Sequence, residues 1–324
     1  MFSSLILLPV IGVMVLNLPL GAFMKKAAFW LCLFIVSVQL CVVVFPALCF
    51  WSNWLDILGV FLKFNFSVDN LSRVLLFCIG MVVFAAVFVQ RYLDGEKEKF
   101  FNFVNLLLLL LIGMNGIVMV RDIFSMYVFV EIAAVSSFIL ICFDKDFAAF
   151  EGAFKYIVLS AVATVLMLSA IALLLVVSGD TGFSSLSVAL KASPNRMFIN
   201  LAIGIFITAC LIKSGLMPFH GWLPDSYSSA PASVSMLLAG IITKTVGVYT
   251  LIRVVISVFG FTPAVRSLLL VVGAISVVAG ALAALGQNDW PPSPFCWATS
   301  LGCISLTSSA CWPIQASAIR DICC

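Results

Sequence analysis

The chain has 324 residues, of which 64% are hydrophobic and only 10% are charged, and its formal net charge at pH 7 is +3. Soluble domains are typically about half apolar and about a quarter charged, so this composition excludes an ordinary soluble domain. The small net charge, with Lys and Arg scattered between apolar runs, argues against a nucleic-acid partner. The composition predicts an all-α, polytopic transmembrane helix bundle in a lipid bilayer.

Apolar runs long enough to cross about 30 Å of hydrocarbon recur along the chain. The first is interpreted as a retained helix, because no basic residue precedes it and it is longer than the core of a typical signal peptide. Short polar connections separate the runs, at 93–99, 144–146 and 179–196. We predict about nine spans, at 3–23, 27–51, 69–92, 101–120, 123–143, 154–177, 197–218, 230–259 and 265–285.

The cysteines and the single histidine do not indicate a redox site. No two cysteines are spaced as C-x-x-C, and His220 is the one histidine in the chain, so a bis-histidine haem is excluded. Five cysteines lie singly inside apolar runs, where they are expected to pack as small hydrophobic residues: Cys32, Cys41, Cys78, Cys142 and Cys210. We expect no cofactor, no metal and no redox or hydrolytic centre in this chain.

The composition changes after Asp289. Residues 290–324 contain four prolines and five of the eleven cysteines, and they include no uninterrupted apolar run of spanning length. Proline removes a helix hydrogen bond, so a tenth regular helix is not expected there.

Three ionisable residues lie near the middle or at the end of apolar spans: Glu131, Lys213 and Lys244. A charge at the centre of a membrane helix costs roughly 2.5–3.5 kcal/mol, so such groups usually face the bundle interior or a wet cavity and mark ion pathways. Desolvation favours the neutral form of lysine and a nearby carboxylate favours its charged form, which makes a Glu–Lys pair a natural protonation switch. The alternative is a static ion pair that fixes helix register. Three such groups on separate helices favour the pathway.

Pro218 lies in a stretch with three prolines and two glycines, at 213–231. Proline frees backbone carbonyls that are tolerated at membrane depth only where protein or water satisfies them, which predicts a broken helix. An ordinary loop between two complete spans is the alternative. His220, in the same stretch, either relays protons or only forms hydrogen bonds within the loop. Arg253, near the end of its span, is expected to extend its charge to the membrane interface.

Three segments carry a resemblance to a known family. The segment LIKSGLMPFHGWLPDSYSSAPASVSMLLAGIITKTVGVYTLIR, at 211–253, is similar to the signature of the antiporter-like subunits of respiratory complex I, membrane-bound hydrogenases and multisubunit Na⁺/H⁺ antiporters. DIFSMYVFVEIAAVSSFILI, at 122–141, resembles the glutamate helix of that family, and GALAALGQND, at 280–289, resembles the segment before its tenth helix.

The resemblance implies a role for each matched residue. Glu131 matches the glutamate that tunes a lysine, Lys213 matches that lysine, and Lys244 matches the next relay lysine. It also implies a five-helix unit with one broken helix that is repeated in inverted orientation. The expected organisation is three N-terminal helices at 1–100, a proton-channel repeat unit at 101–259, the start of a second unit at 260–289, and an anomalous tail at 290–324.

The sequence departs from the family pattern at two places. Many members read D-A-H after the L-P pair, whereas this chain has Tyr227 at the histidine position. After GQND the family continues with a basic stretch and further helices, which residues 290–324 do not resemble. An out-of-frame tail, caused by a frameshift near residue 290, would explain this boundary.

The resemblance implies an ion-translocating membrane subunit of a redox-driven NADH:quinone oxidoreductase-like or hydrogenase complex, located in a prokaryotic cell (inner) membrane. Its expected partners are other membrane subunits, the lipid bilayer and protons, or Na⁺ in place of protons. The alternatives are a Na⁺/H⁺ antiporter subunit and a non-conducting remnant that acts only as a membrane scaffold.

Overall fold

A computed structural model describes residues 4–18, 22–45, 66–93, 97–192, 196–260 and 262–285. The expected out-of-frame tail at 290–324 lies outside these residues. The described segments form eleven helices: α1 (Ser4–Leu16), α2 (Ala22–Val44), α3 (Asn70–Leu93), α4 (Lys97–Met119), α5 (Ile123–Ile141), α6 (Phe147–Ser178), α7 (Phe183–Ala192), α8 (Arg196–Ser214), α9 (Trp222–Ser229), α10 (Ala232–Phe259) and α11 (Pro263–Leu285).

The predicted class, an all-α bundle of membrane spans, is confirmed. Eight of the described helices are long and apolar enough to cross a membrane: α2, α3, α4, α5, α6, α8, α10 and α11. Their apolar side chains also cover much of the outer surface, as expected for a protein whose solvent is hydrocarbon.

One predicted boundary is wrong, and one predicted connection contains a helix that was not expected. The first apolar run, predicted as one span at 3–23, forms a helix that already ends at Leu16, and its 13 residues reach only about 20 Å. Because α1 is shorter than a complete span, the expected number of nine spans stays a prediction. The connection predicted at 179–196 contains the amphipathic helix α7, whose apolar residues Phe183, Leu186 and Leu190 are buried.

Helix α4 lies at the centre of the N-terminal half, where it packs against α1, α2, α3 and α5. Buried hydrogen bonds join α4 with α1 and α2, and α2 with α3. The amide of Asn115 on α4 donates to Gln39 Oε1 on α2 and to the Leu5 carbonyl on α1, both at 2.9 Å, and Gln39 donates to the Leu76 carbonyl on α3 at 3.1 Å. Hydrogen bonds of this kind hold helices together where the hydrophobic effect cannot, because lipid is as apolar as the helix surface.

The C-terminal half is built on α6 and α8, which pack along each other, with α10 against α8. The approach of α10 to α8 depends on Gly247. A β-carbon at this position would lie 2.6 Å from both the Cα and the backbone nitrogen of Ser214. The absence of a side chain at Gly247 therefore lets α10 pack against the last turn of α8, next to Lys213.

Candidate proton-transfer site

A buried ion pair connects α5 with α8. Lys213 Nζ donates to Glu131 Oε1 at 2.8 Å, so the two residues that the resemblance pairs are in contact. The side chain of Lys213 is 2% exposed and that of Glu131 is 28% exposed. The positive charge is thus enclosed by protein, whereas the carboxylate reaches the edge of the described bundle.

Two hydroxyl groups on α6 complete the surroundings of this pair. Lys213 Nζ lies 3.2 Å from Thr164 Oγ1 and 3.3 Å from Ser160 Oγ, and Thr164 Oγ1 lies 2.7 Å from Glu131 Oε1. An ammonium group has three donors, and these three oxygens accept from all of them. Sequence reasoning missed Ser160 and Thr164. Their spacing of four residues, which places both on one face of α6, was the available signal.

Lys213 occupies the last turn of α8, and the chain turns sharply directly after it. Gly215 adopts a left-handed conformation with φ of 65°, and the amide of Leu216 donates to the Leu211 carbonyl at 3.1 Å, as in a glycine-terminated helix. A β-carbon on Gly215 would lie 1.8 Å from Leu223 Cδ1, so a larger residue here would also require the Leu223 side chain to move. The lysine is therefore carried by a helix end whose geometry is closely specified.

Residues 215–221 separate α8 from the short helix α9. Pro218 lies in this segment and is exposed. His220 is partly buried, and its Nδ1 atom is buried without a hydrogen-bond partner among the described residues. The two interpretations of His220, proton relay and loop hydrogen bonding, both remain predictions. Within the described residues no three His, Cys, Asp or Glu side chains are grouped closely enough to hold a metal ion.

A second charged cluster joins α6 to α9. Lys155 Nζ lies 2.6 Å from Asp225 Oδ2 and 2.7 Å from Glu151 Oε1. All three side chains are about half exposed, which distinguishes this cluster from the buried pair. It fixes α9 against α6 and leaves Asp225 in a structural position.

Lys244 lies on α10, where it begins a π-helical segment, and it is exposed at the surface of the described bundle. Its Nζ atom donates to the Ala239 carbonyl at 2.5 Å and lies 3.4 Å from Thr243 Oγ1. Both of these contacts lie within α10 itself. π-Helical turns are rare and are frequent at functional sites.

The expectation that Arg253 extends to the membrane interface stays a prediction, and the structure shows which residue the side chain meets. The residue is 6% exposed, and its Nη1 atom donates to Asp69 Oδ2 at 2.9 Å. Arg121 also pairs with Asp69 and donates to Ser67. Arg253 can be buried because Asp69, in the segment before α3, pairs with it. The two residues are 184 positions apart, so the sequence alone does not indicate this pair.

Comparison with known proteins agrees with this architecture. The model of the NADH:quinone oxidoreductase/Mrp antiporter transmembrane family matches residues 120–290, which is more than half of the chain and includes every residue of the buried pair. The chain is similar to NADH-quinone oxidoreductase subunit N of Maricaulis maris, with 30% identity over 236 residues, 71% of this chain and 48% of the relative. It is also similar to a Na(+)/H(+) antiporter subunit of Alkalihalophilus pseudofirmus, with 29% identity over 223 residues, 66% of this chain and 45% of the relative.

The fold is shared with solved structures of membrane complexes. A chain of the Mrp complex from Dietzia sp. superposes with a TM-score of 0.75 at 22% identity, over 93% of this chain and 56% of that one. The chain spans about half the length of the curated relatives that it matches. The match over residues 120–290 shows that this integral membrane protein belongs to the NADH:quinone oxidoreductase/Mrp antiporter transmembrane family.

Proposed function

We propose that the chain is an ion-translocating subunit of a multisubunit complex in a bacterial cell membrane, and that it moves protons through a pathway containing Glu131, Lys213 and Lys244. The contact of 2.8 Å between Glu131 and Lys213 carries this proposal. In this proposal residues 101–259 are the proton-channel unit, and Pro218 and His220 lie in the segment that follows the lysine.

The surroundings of Lys213 favour a proton carrier over a static structural charge. A buried ion pair often contributes little net stability compared with apolar residues of similar volume, so stability alone is a weak explanation for this pair. Here the ammonium contacts one carboxylate and two neutral hydroxyls. The carboxylate can take a proton from the lysine, and each hydroxyl can either accept a hydrogen bond from the ammonium or donate one to the neutral amine. Movement of the Glu131 charge relative to Lys213 would change which protonation state of the lysine is favoured.

Sodium–proton exchange is the second candidate, because a relative named as an antiporter subunit is about as similar as one named as a quinone oxidoreductase subunit. The carboxylate of Glu131 is a suitable oxygen ligand for Na⁺, and its partial exposure gives an ion access. In this version Lys213 and Na⁺ compete for the same carboxylate.

Sealed inverted membrane vesicles that hold the assembled complex test the proposal. A pH-sensitive dye follows the interior while NADH or, separately, an imposed Na⁺ gradient supplies the driving force. We expect a pH change that disappears when this chain is deleted and the other subunits are retained. A response to NADH alone supports a redox-driven proton pathway, and a response to the Na⁺ gradient supports exchange. An unchanged response without the chain, at matched complex content, would contradict ion translocation and favour the scaffold role.

A further inference from the structure

A small cavity lies between Lys213 and α10. Its volume is about 10 Å³, and the residues that line it include Tyr156, Ser160, Lys213, Trp222 and Thr243. About this volume is needed for one water molecule, which also requires two to four polar partners. Most of the wall is apolar, so a water here would depend on the few polar groups of the lining residues, Lys213 and the hydroxyls of Ser160 and Thr243 among them.

Thr243 connects the cavity with Lys244. Its side chain lines the cavity, and its Oγ1 atom lies 3.4 Å from Lys244 Nζ. The same hydroxyl donates to the Leu238 carbonyl at 3.1 Å, which leaves its lone pairs to accept, one of them from the ammonium group. Lys244 is exposed, but its ammonium group thus reaches the edge of the buried site through one hydroxyl.

Tyr227 holds Thr243 in this position. The phenol oxygen of Tyr227 lies 3.3 Å from Thr243 Oγ1 and 3.3 Å from the Leu238 carbonyl. α9 and α10 are thereby joined at the threonine, and Tyr227 can alternate between the two acceptors. Tyr227 is the residue that stands where many family members have a histidine, so the connection observed here is built from hydroxyl groups.

We propose that Thr243 relays protons between Lys244 and a water in this cavity, and that Tyr227 positions it. The inference rests on the proposed function and adds the route between the two lysines. When Lys244 is charged and Lys213 is neutral, Thr243 turns its O–H from the Leu238 carbonyl to the water, and Tyr227 donates to that carbonyl in its place. The Lys244 ammonium then gives a proton to Thr243 Oγ1, and the threonine hydroxyl gives its own proton to the water. The water in turn protonates the Lys213 amine, and the reverse sequence restores the starting state. Each oxygen gains one proton and loses one, so only the two lysines change charge.

The test is Thr243→Val in the assembled complex, which removes the hydroxyl and keeps the shape of the side chain. We expect the initial rate of the dye response to fall by at least about tenfold, because positioned proton-transfer groups typically contribute factors of about 10²–10⁴. Thr243→Ser keeps the hydroxyl and should restore most of the rate. In Tyr227→Phe, Thr243 loses the phenol that positions it, so the solvent isotope effect in D₂O should be larger than in the native complex.

Thr250→Val is the matched control. Thr250 lies on the same helix and is buried. Its hydroxyl donates to the Thr245 carbonyl, five residues earlier, at 3.2 Å, as the Thr243 hydroxyl does to the Leu238 carbonyl. Thr250 does not line the cavity. This variant should keep the native rate. Equal rates for the Thr243→Val and native complexes, at equal complex content, would overturn the relay.

Lys213→Met, measured in parallel, separates this inference from the function on which it rests. If Lys213→Met is inactive while Thr243→Val is fully active, only the hydroxyl route is wrong. If Lys213→Met is also fully active, the proposed pathway itself is wrong.

Discussion

Lys213→Met is expected to abolish the proton flux of the assembled complex while leaving the amount of complex close to native. Methionine fills about the same space as the lysine stem and is stable in an apolar interior, so the substitution removes an intramembrane charge that is costly to bury. The hydroxyls of Ser160 and Thr164 can turn to backbone carbonyls when the ammonium group is removed, as Thr164 already does toward Ser160 at 2.9 Å. The measurement is the initial dye response in sealed vesicles at matched complex content.

Lys155→Met is the control for this prediction. Lys155, on α6, also pairs with carboxylates, at 2.6 Å from Asp225 and 2.7 Å from Glu151, but its side chain is 42% exposed. Exposed ion pairs contribute only about 0–1 kcal/mol, so this variant should assemble and retain most of the flux. If Lys213→Met pumps at the native rate, Lys213 is a structural residue.

Glu131→Gln is expected to reduce the flux by at least about tenfold, because a neutral amide cannot tune the protonation of the facing lysine. Glutamine keeps the shape of the side chain and retains an oxygen that can accept from Thr164, now 2.7 Å from Glu131 Oε1. The loss should therefore reflect the charge and not the packing. The buried ammonium loses its one carboxylate at hydrogen-bond distance among the described residues.

Glu151→Gln provides the comparison, since Glu151 also lies 2.7 Å from a lysine but is 55% exposed. We expect flux close to native in this variant. A Glu131→Gln complex as active as the Glu151→Gln complex would show that the charge of Glu131 does not tune the pathway, and would leave Lys213 to act with the hydroxyl groups alone.

Hydropathy predicts the spans well where the bilayer sets their length. The spans predicted at 123–143 and 101–120 correspond to α5, Ile123–Ile141, and α4, Lys97–Met119. Hydropathy gives the wrong length where the helix is shorter than the apolar run that contains it, as in α1. It also misses an amphipathic helix inside a polar connection, as in α7. A continuous apolar run does not indicate at which of its residues a helix ends.

The buried pair was predictable because a charge inside an apolar span is conspicuous. The hydroxyls around it were not, because Ser and Thr are common in membrane helices and usually bond to their own backbone. The exposed position of Lys244 was missed for a different reason. π-Helical segments in α10 insert extra residues into its turns, so the face occupied by each side chain departs from the period of a regular helix.

The central claim is that Lys213 changes its protonation state as ions cross the membrane. Nitrogen-15 NMR of the side-chain amines, in vesicles with labelled lysine, reads that state directly, and Lys213→Met identifies the resonance by its loss. We expect Lys213 to give signals of both the ammonium and the neutral amine, with proportions that shift when a pH gradient is imposed and that no longer shift in Glu131→Gln. A Lys213 resonance that remains that of an ammonium group under every gradient, in a complex that still transports ions, would contradict the account.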